Sequence, residues 1–121
     1  INEFFSGVYT LGEILEQHGY INEIMMGSDS NFGCTSNFYK QHGNYYISDY
    51  NTAVEEGRIA KDYFVFGYED KKLFEFAKAD ITKLAKSGKP FNMELVTIDT
   101  HTPDGMYVNI VSINIKANMQ T

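Results

Sequence analysis

The sequence predicts an α/β domain: a mostly parallel sheet flanked by helices. Helical periodicity alternates with short apolar strands along the 121 residues, the pattern of βαβ units. Phe91 to Gly105 reads as a buried strand that runs out into a polar turn and delivers Asp99 and His101 at its carboxyl end. Apolar residues make up 43% of the chain and aromatic residues 15%, enough for one real core at this length. Nothing resembles a linker, a low-complexity tract or a charge block, so residues 1–121 read as a single unit.

Thr10-Leu11-Gly12-Glu13 is a capping box, with Tyr9 and Ile14 placed for a hydrophobic staple. Leu11, Ile14, Leu15 and His18 then follow helical spacing, and Gly19 suits a left-handed stop. Tyr20 to Met26 reads as a short apolar strand, closed by Gly27-Ser28-Asp29-Ser30-Asn31. A second helix is expected from about Phe32 to His42, with Gly43 as its stop. The echo of Gln17-His18-Gly19-Tyr20 in Gln41-His42-Gly43-Asn44-Tyr45 follows from shared helix-end chemistry rather than from a repeat.

Between Tyr45 and Tyr68 lie a short acidic segment, Thr52 to Arg58, and the aromatic run Tyr63-Phe64-Val65-Phe66. A third helix starts near Asp70 and ends at Gly88, its apolar stripe formed by Leu73, Phe74, Ala77, Ile81, Leu84 and Ala85. The strand from Phe91 to Ile98 follows. After the Pro103-Asp104-Gly105 turn, Met106 to Ile115 is a further strand candidate. Ile24, Met26, Leu95, Val96 and Ile98 are the expected buried strand residues.

Ten basic residues against 16 acidic ones give a net charge of -6. Nucleic-acid and anionic-membrane binders carry basic faces, so both classes of partner are disfavoured. Cys34 is the only cysteine, which excludes an intrachain disulfide and a thiolate metal cluster. No run approaches the roughly 18 apolar residues of a membrane span. The start, Ile1-Asn2-Glu3-Phe4-Phe5, has neither an initiator Met nor a basic signal region, and reads as cut from a longer chain.

Asp99 and His101 stand two apart, so in extended chain both point to one side. They are placed to orient a ligand oxygen or share a metal; alternatively, Asp99 braces the turn through backbone amides. Strand ends of open α/β sheets are where ligands bind, which favours a functional His101. Asp29 also follows a strand, in a loop whose free amides would suit a phosphate, although a helix-capping loop has the same composition. His18 and His42 fall in last helical turns, where interaction with the dipole explains them. Cys34 has no base placed beside it. Tyr63, Phe64, Phe66 and Tyr68 read as core rather than as a sugar platform. There is no Ser/His/Asp set, no Walker loop and no ligand cluster, so the chain holds part of a site.

These motifs resemble the phosphoglycerol transferase and lipoteichoic acid synthase family of the sulfatase and alkaline phosphatase superfamily. Leu11 to Tyr20 is similar to its helix with a His-Gly-Tyr stop, and Gly27-Ser28-Asp29-Ser30-Asn31-Phe32-Gly33 to its Gly-Gly-Asp-x-x-Phe-Gly loop. Phe38 to Gly43 resembles the following helix end. Phe66-Gly67-Tyr68-Glu69-Asp70 resembles a Trp-Gly-x-x-Asp element, with Phe for Trp. Lys89 to Gly105 is the most specific piece, close to Thr-x-Asp-Thr-His-x-Pro-Asp-Gly. Met26 stands where the family often has His, and Thr35 where it favours Arg or Lys.

The resemblance implies a partial alkaline-phosphatase-like sandwich, a fragment of an extracellular catalytic domain. It implies a membrane-anchored parent, facing the extracellular or periplasmic side, that moves glycerol phosphate from phosphatidylglycerol to a cell-envelope glycan or teichoic acid. His101 matches a residue that holds glycerol phosphate, and the Asp29, Asn31 and Phe32 loop lines the same pocket, with Asp99 beside it. The nucleophilic Thr would lie upstream of Ile1 and an Asp-His metal pair downstream of Thr121. A divalent Mn or Mg ion is therefore expected in the parent, with no metal and no catalytic residue in this chain, which alone is expected to be inactive. A sulfatase or phosphodiesterase of the same superfamily and a non-catalytic α/β binding module are the alternatives. Apolar surface left by a missing remainder makes a homodimer through Val108 to Ile115 a further expectation.

Overall fold

A computed structural model of the chain describes residues 3–63 and 67–101. The strand candidate Met106 to Ile115, the residues Phe64 to Phe66 and the Thr102 to Gly105 turn lie outside the described residues. The elements are α1 (Leu11–Gln17), β1 (Ile21–Met26), a 3-10 turn (Phe32–Cys34), α2 (Thr35–Gln41), β2 (Tyr46–Ser48), α3 (Tyr50–Glu55), α4 (Asp70–Lys86) and β3 (Phe91–Val96). The three strands form a wholly parallel sheet in the order β2-β1-β3. Ile24 pairs with Ile47 on one side and with Glu94 on the other. Parallel neighbours need crossover connections, and the helices supply them. This is the α/β sandwich with a mostly parallel sheet that the sequence predicts.

Each face of β1 has its own core because alternate residues point to opposite sides. Met25 packs with Ala53, Ile59, Tyr68, Leu73 and Ala77 beneath α3 and α4. Ile24 and Met26 pack on the other side with Tyr45, supported by Tyr39 and Ile47. Asn22, buried on that second side, donates to the carbonyls of Gly12 (2.9 Å) and Gly43 (2.8 Å), tying α1 and the exit of α2 to the sheet. Gly12 lies so close to the Tyr45 ring and the His42 carbonyl that a side chain there would collide with both. The capping box at Thr10 and Glu13 forms, and Gly19 adopts φ 82 as the stop.

Four expectations are corrected. Helix two is broken at its start: Gly33 (φ 64) and Cys34 (φ 59) are left-handed, so α2 begins only at Thr35. Glycine tolerates that conformation and lets the chain kink. The buried side of α4 is Leu73, Phe76, Ala77 and Asp80, whereas Phe74 and Ile81 face outward, because Asp80 on the inner side meets Arg58. Val96 is exposed, because α1 and α2 cover β1 and β2 and leave its face of β3 open, while Leu95, on the opposite face, is half-buried against the Met25 core. His42 does more than meet a helix dipole. It is buried, with Nε2 2.7 Å from the Phe4 carbonyl and Nδ1 3.3 Å from Glu13.

Candidate functional site

All three strands end on the same side, so the loops after Met26, Ser48 and Val96 share one edge of the sheet. Asp29 follows β1 and His101 follows β3, its immediate parallel neighbour. Both therefore stand at the carboxyl edge, where an open parallel sheet binds ligands.

Two glycines set the floor of this edge. The Gly27 carbonyl, just beyond β1, accepts the Tyr68 amide at 2.9 Å. Gly67 adopts φ 127 and lies against Gly27, and a side chain on either would run into the other segment's backbone. The Gly67 to Asp70 segment can therefore pass directly over the strand end and start α4 there. Tyr68 is fully buried beneath it, and burial pushes its phenol pKa up.

Asp70 and Asp99 then lock α4 to the turn after β3. The Asp70 carboxylate accepts the amides of Ile98 (2.8 Å) and Asp99 (3.3 Å), and Asp99 Oδ1 accepts the Asp70 amide at 3.1 Å. Asp70 also lies in the first turn of a helix, where negative charge is favoured. The His101 amide donates to the Ile98 carbonyl at 3.0 Å, which closes the turn, and His101 itself is exposed. The Asp99 carboxylate thus meets the first amide of α4 rather than an amide of its own turn.

Asp49 does the same for the Asp29 loop. Its Oδ2 accepts the Ser30 amide (3.0 Å) and hydroxyl (2.7 Å), while Oδ1 accepts the Thr52 amide (3.0 Å) and hydroxyl (2.9 Å). Burial alone would raise its pKa, but these hydrogen bonds outweigh it and hold the carboxyl below the usual range. Asp49 escaped the sequence reading, although Asp49-Tyr50-Asn51-Thr52 carries the signal of a capping pair directly after a strand.

The loop itself is internally bonded. Asp29 Oδ1 accepts the Asn31 amide at 2.9 Å and the Asp29 carbonyl accepts the Phe32 amide at 3.2 Å. With Ser30 held by Asp49, the amides of residues 30–32 are engaged within the protein. What the loop offers outward is side chains: the exposed Asp29 and Asn31, and a Phe32 ring that is 86% exposed. Among the described residues no group of three or more His, Cys, Asp or Glu is arranged to hold a metal ion. None of the described helices is long and apolar enough to cross a membrane.

The sulfatase family's sequence profile matches residues 4–109. The chain is 32% identical over 95 residues to phosphoglycerol transferase I of Xanthomonas campestris pv. campestris strain B100, and 31% identical over 108 residues to the protein of that name from Citrobacter koseri. These alignments cover 78% and 87% of the chain, which spans 14% of each relative's length. Among solved structures, an alkaline phosphatase superfamily protein from Vibrio parahaemolyticus shares the fold with a TM-score of 0.68 at 24% identity. That match covers 84% of this chain and 24% of the other.

Proposed function

The chain belongs to the sulfatase family, and from that premise we propose that it is the substrate-pocket portion of a membrane-anchored phosphoglycerol transferase. The parent would move glycerol phosphate from phosphatidylglycerol to a cell-envelope glycan or teichoic acid, with its catalytic domain facing outward. The observation that carries this reading is the shared carboxyl edge. His101 and the Asp29 to Phe32 loop follow two neighbouring parallel strands, their segments braced by a buried and a half-buried carboxylate, in a chain similar to phosphoglycerol transferases.

His101 donates an imidazole N–H to a phosphate oxygen. Asp29 accepts from a glycerol hydroxyl, Asn31 adds an amide, and Phe32 covers the glycerol carbons. Asp99 serves the pocket by holding the turn rather than by touching substrate. The nucleophile and the divalent Mn or Mg ion belong to the remainder of the parent, so this chain alone has no turnover. Self-association of the isolated chain, expected through Val108 to Ile115, would also have the exposed Tyr9 and Leu11 (62% and 64%) as apolar surface to draw on. Its net charge of -6 disfavours nucleic acid.

A second reading, a sulfatase or phosphodiesterase acting on another ester, is favoured by Thr35. Its hydroxyl donates to the Phe32 carbonyl at 3.1 Å and offers no cation where phosphoglycerol transferases favour Arg or Lys. Diacylglycerol release from phosphatidylglycerol, set against hydrolysis of an aryl sulfate, separates the two.

In the intact parent, His101→Ala is expected to lower kcat/KM for phosphatidylglycerol by about 1.5–3 kcal/mol, the scale of one hydrogen bond to a charged group. A variant with wild-type kcat/KM returns His101 to a purely structural role.

A further inference from the structure

A charge cluster on the α3 and α4 side of the sheet takes no part in the proposed pocket. Glu23, near the start of β1, is 5% exposed, and Asp80 reaches it from α4 at 7% exposure. Asp80 Oδ1 accepts from Arg58 Nη2 at 2.9 Å, Arg58 Nε pairs with Glu56 Oε2 at 2.8 Å, and the Tyr46 hydroxyl donates to Glu56 Oε1 at 3.0 Å. Glu23 is different: its Oε2 is buried without a hydrogen bond, and Asp80 lines the same cleft beside it.

The groups facing Glu23 come from every element around it. Tyr46 comes from β2, Glu56 and Arg58 from the end of α3, and Asp80 and Lys83 from α4. Together with Leu84 they line a shallow cleft of about 230 Å³. One guanidinium faces three carboxyls here, and Lys83 is exposed. A metal ion does not resolve the excess, since no ligand set of three exists among the described residues. A proton does. Two adjacent buried carboxyls cannot both ionise cheaply, whereas an O–H donated to a carboxylate is a strong, short bond.

We propose that Glu23 and Asp80 share one proton, which docks α4 onto β1, so that its loss in alkaline solution loosens α4 from the sheet. The consequence reaches the carboxyl edge, because the first residue of α4 is Asp70, the brace of the His101 turn. The inference stands independently of the substrate.

Burial, and then Asp80, push the Glu23 carboxyl up to about 8 from an ordinary 4.5. The unfolded chain releases this proton near the ordinary value and the folded chain holds it. The stabilisation is therefore full below about 4.5, shrinks as pH rises towards 8, and is gone above that. Tyr46, pushed up to about 12 by burial and by Glu56, stays neutral throughout this window.

The test compares the purified protein with Glu23→Gln, which keeps a donor towards Asp80 and cannot ionise. Between pH 5 and 8.5 the wild-type melting temperature should fall by roughly 10 °C more than that of the variant. Parallel curves for the two proteins would overturn the proposal. Carbon-13 NMR of labelled glutamate carboxyls in the unmodified protein needs no variant. One glutamate should remain a neutral acid at pH 7 and titrate near 8, and a full set of carboxylates at pH 7 would also overturn it.

Discussion

Gly67→Ala is expected to destabilise the protein by more than about 4 kcal/mol, a large share of the 5–15 kcal/mol that holds a typical domain together. Two independent costs add. At φ 127 an L side chain is strained in any surroundings. The new Cβ would also run into the Gly27 carbonyl, which cannot step aside because it accepts the Tyr68 amide at 2.9 Å. Relief would require lifting Tyr68, a fully buried ring that packs edge-on against Phe76 at 5.1 Å between centroids. Urea denaturation reads the loss directly. A variant with an unchanged midpoint would mean that the Gly67 crossing over the strand end is not as close as described.

Asp70→Ala carries the second large effect, about 3–5 kcal/mol. It removes the acceptor of two backbone amides at once, and Ile98, whose N–H makes the shorter bond, is only 7% exposed. An orphaned buried amide costs about 1–3 kcal/mol, and the loss of negative charge at the α4 N-terminus adds up to about 1. Asp99→Ala should cost less, because it deprives one amide rather than two. Hydrogen exchange resolves the site: the Ile98 and Asp99 amides should lose protection in Asp70→Ala while those of β1 keep theirs. Unchanged protection at Ile98 would remove Asp70 as the brace of the His101 turn.

Local signals made much of this fold legible. The Thr10 capping box, the Gly19 and Gly43 stops and the apolar run of β1 act within a few residues, and each forms as read. The parallel sheet followed from the same alternation of helices and strands. What was not legible depends on partners distant in sequence. Asp80 on the buried side of α4 meets Arg58, 22 positions earlier. Val96 is exposed because no described helix covers that end of β3, which periodicity cannot foresee. At the candidate site, the positions of Asp29 and His101 were readable from the strand ends. The amides of residues 30–32 were not, because their engagement depends on Asp49, on the other strand's end, and on the loop's own turn.

The central claim is that the carboxyl edge of this sheet holds glycerol phosphate. A crystal structure of the intact parent with glycerol 1-phosphate bound tests it most directly. The phosphate is predicted within hydrogen-bonding distance of the His101 imidazole, with Asp29, Asn31 and Phe32 lining the glycerol side and Asp70 still bonded to the Ile98 amide. Glycerol phosphate bound away from His101 and the Asp29 to Phe32 loop would contradict it.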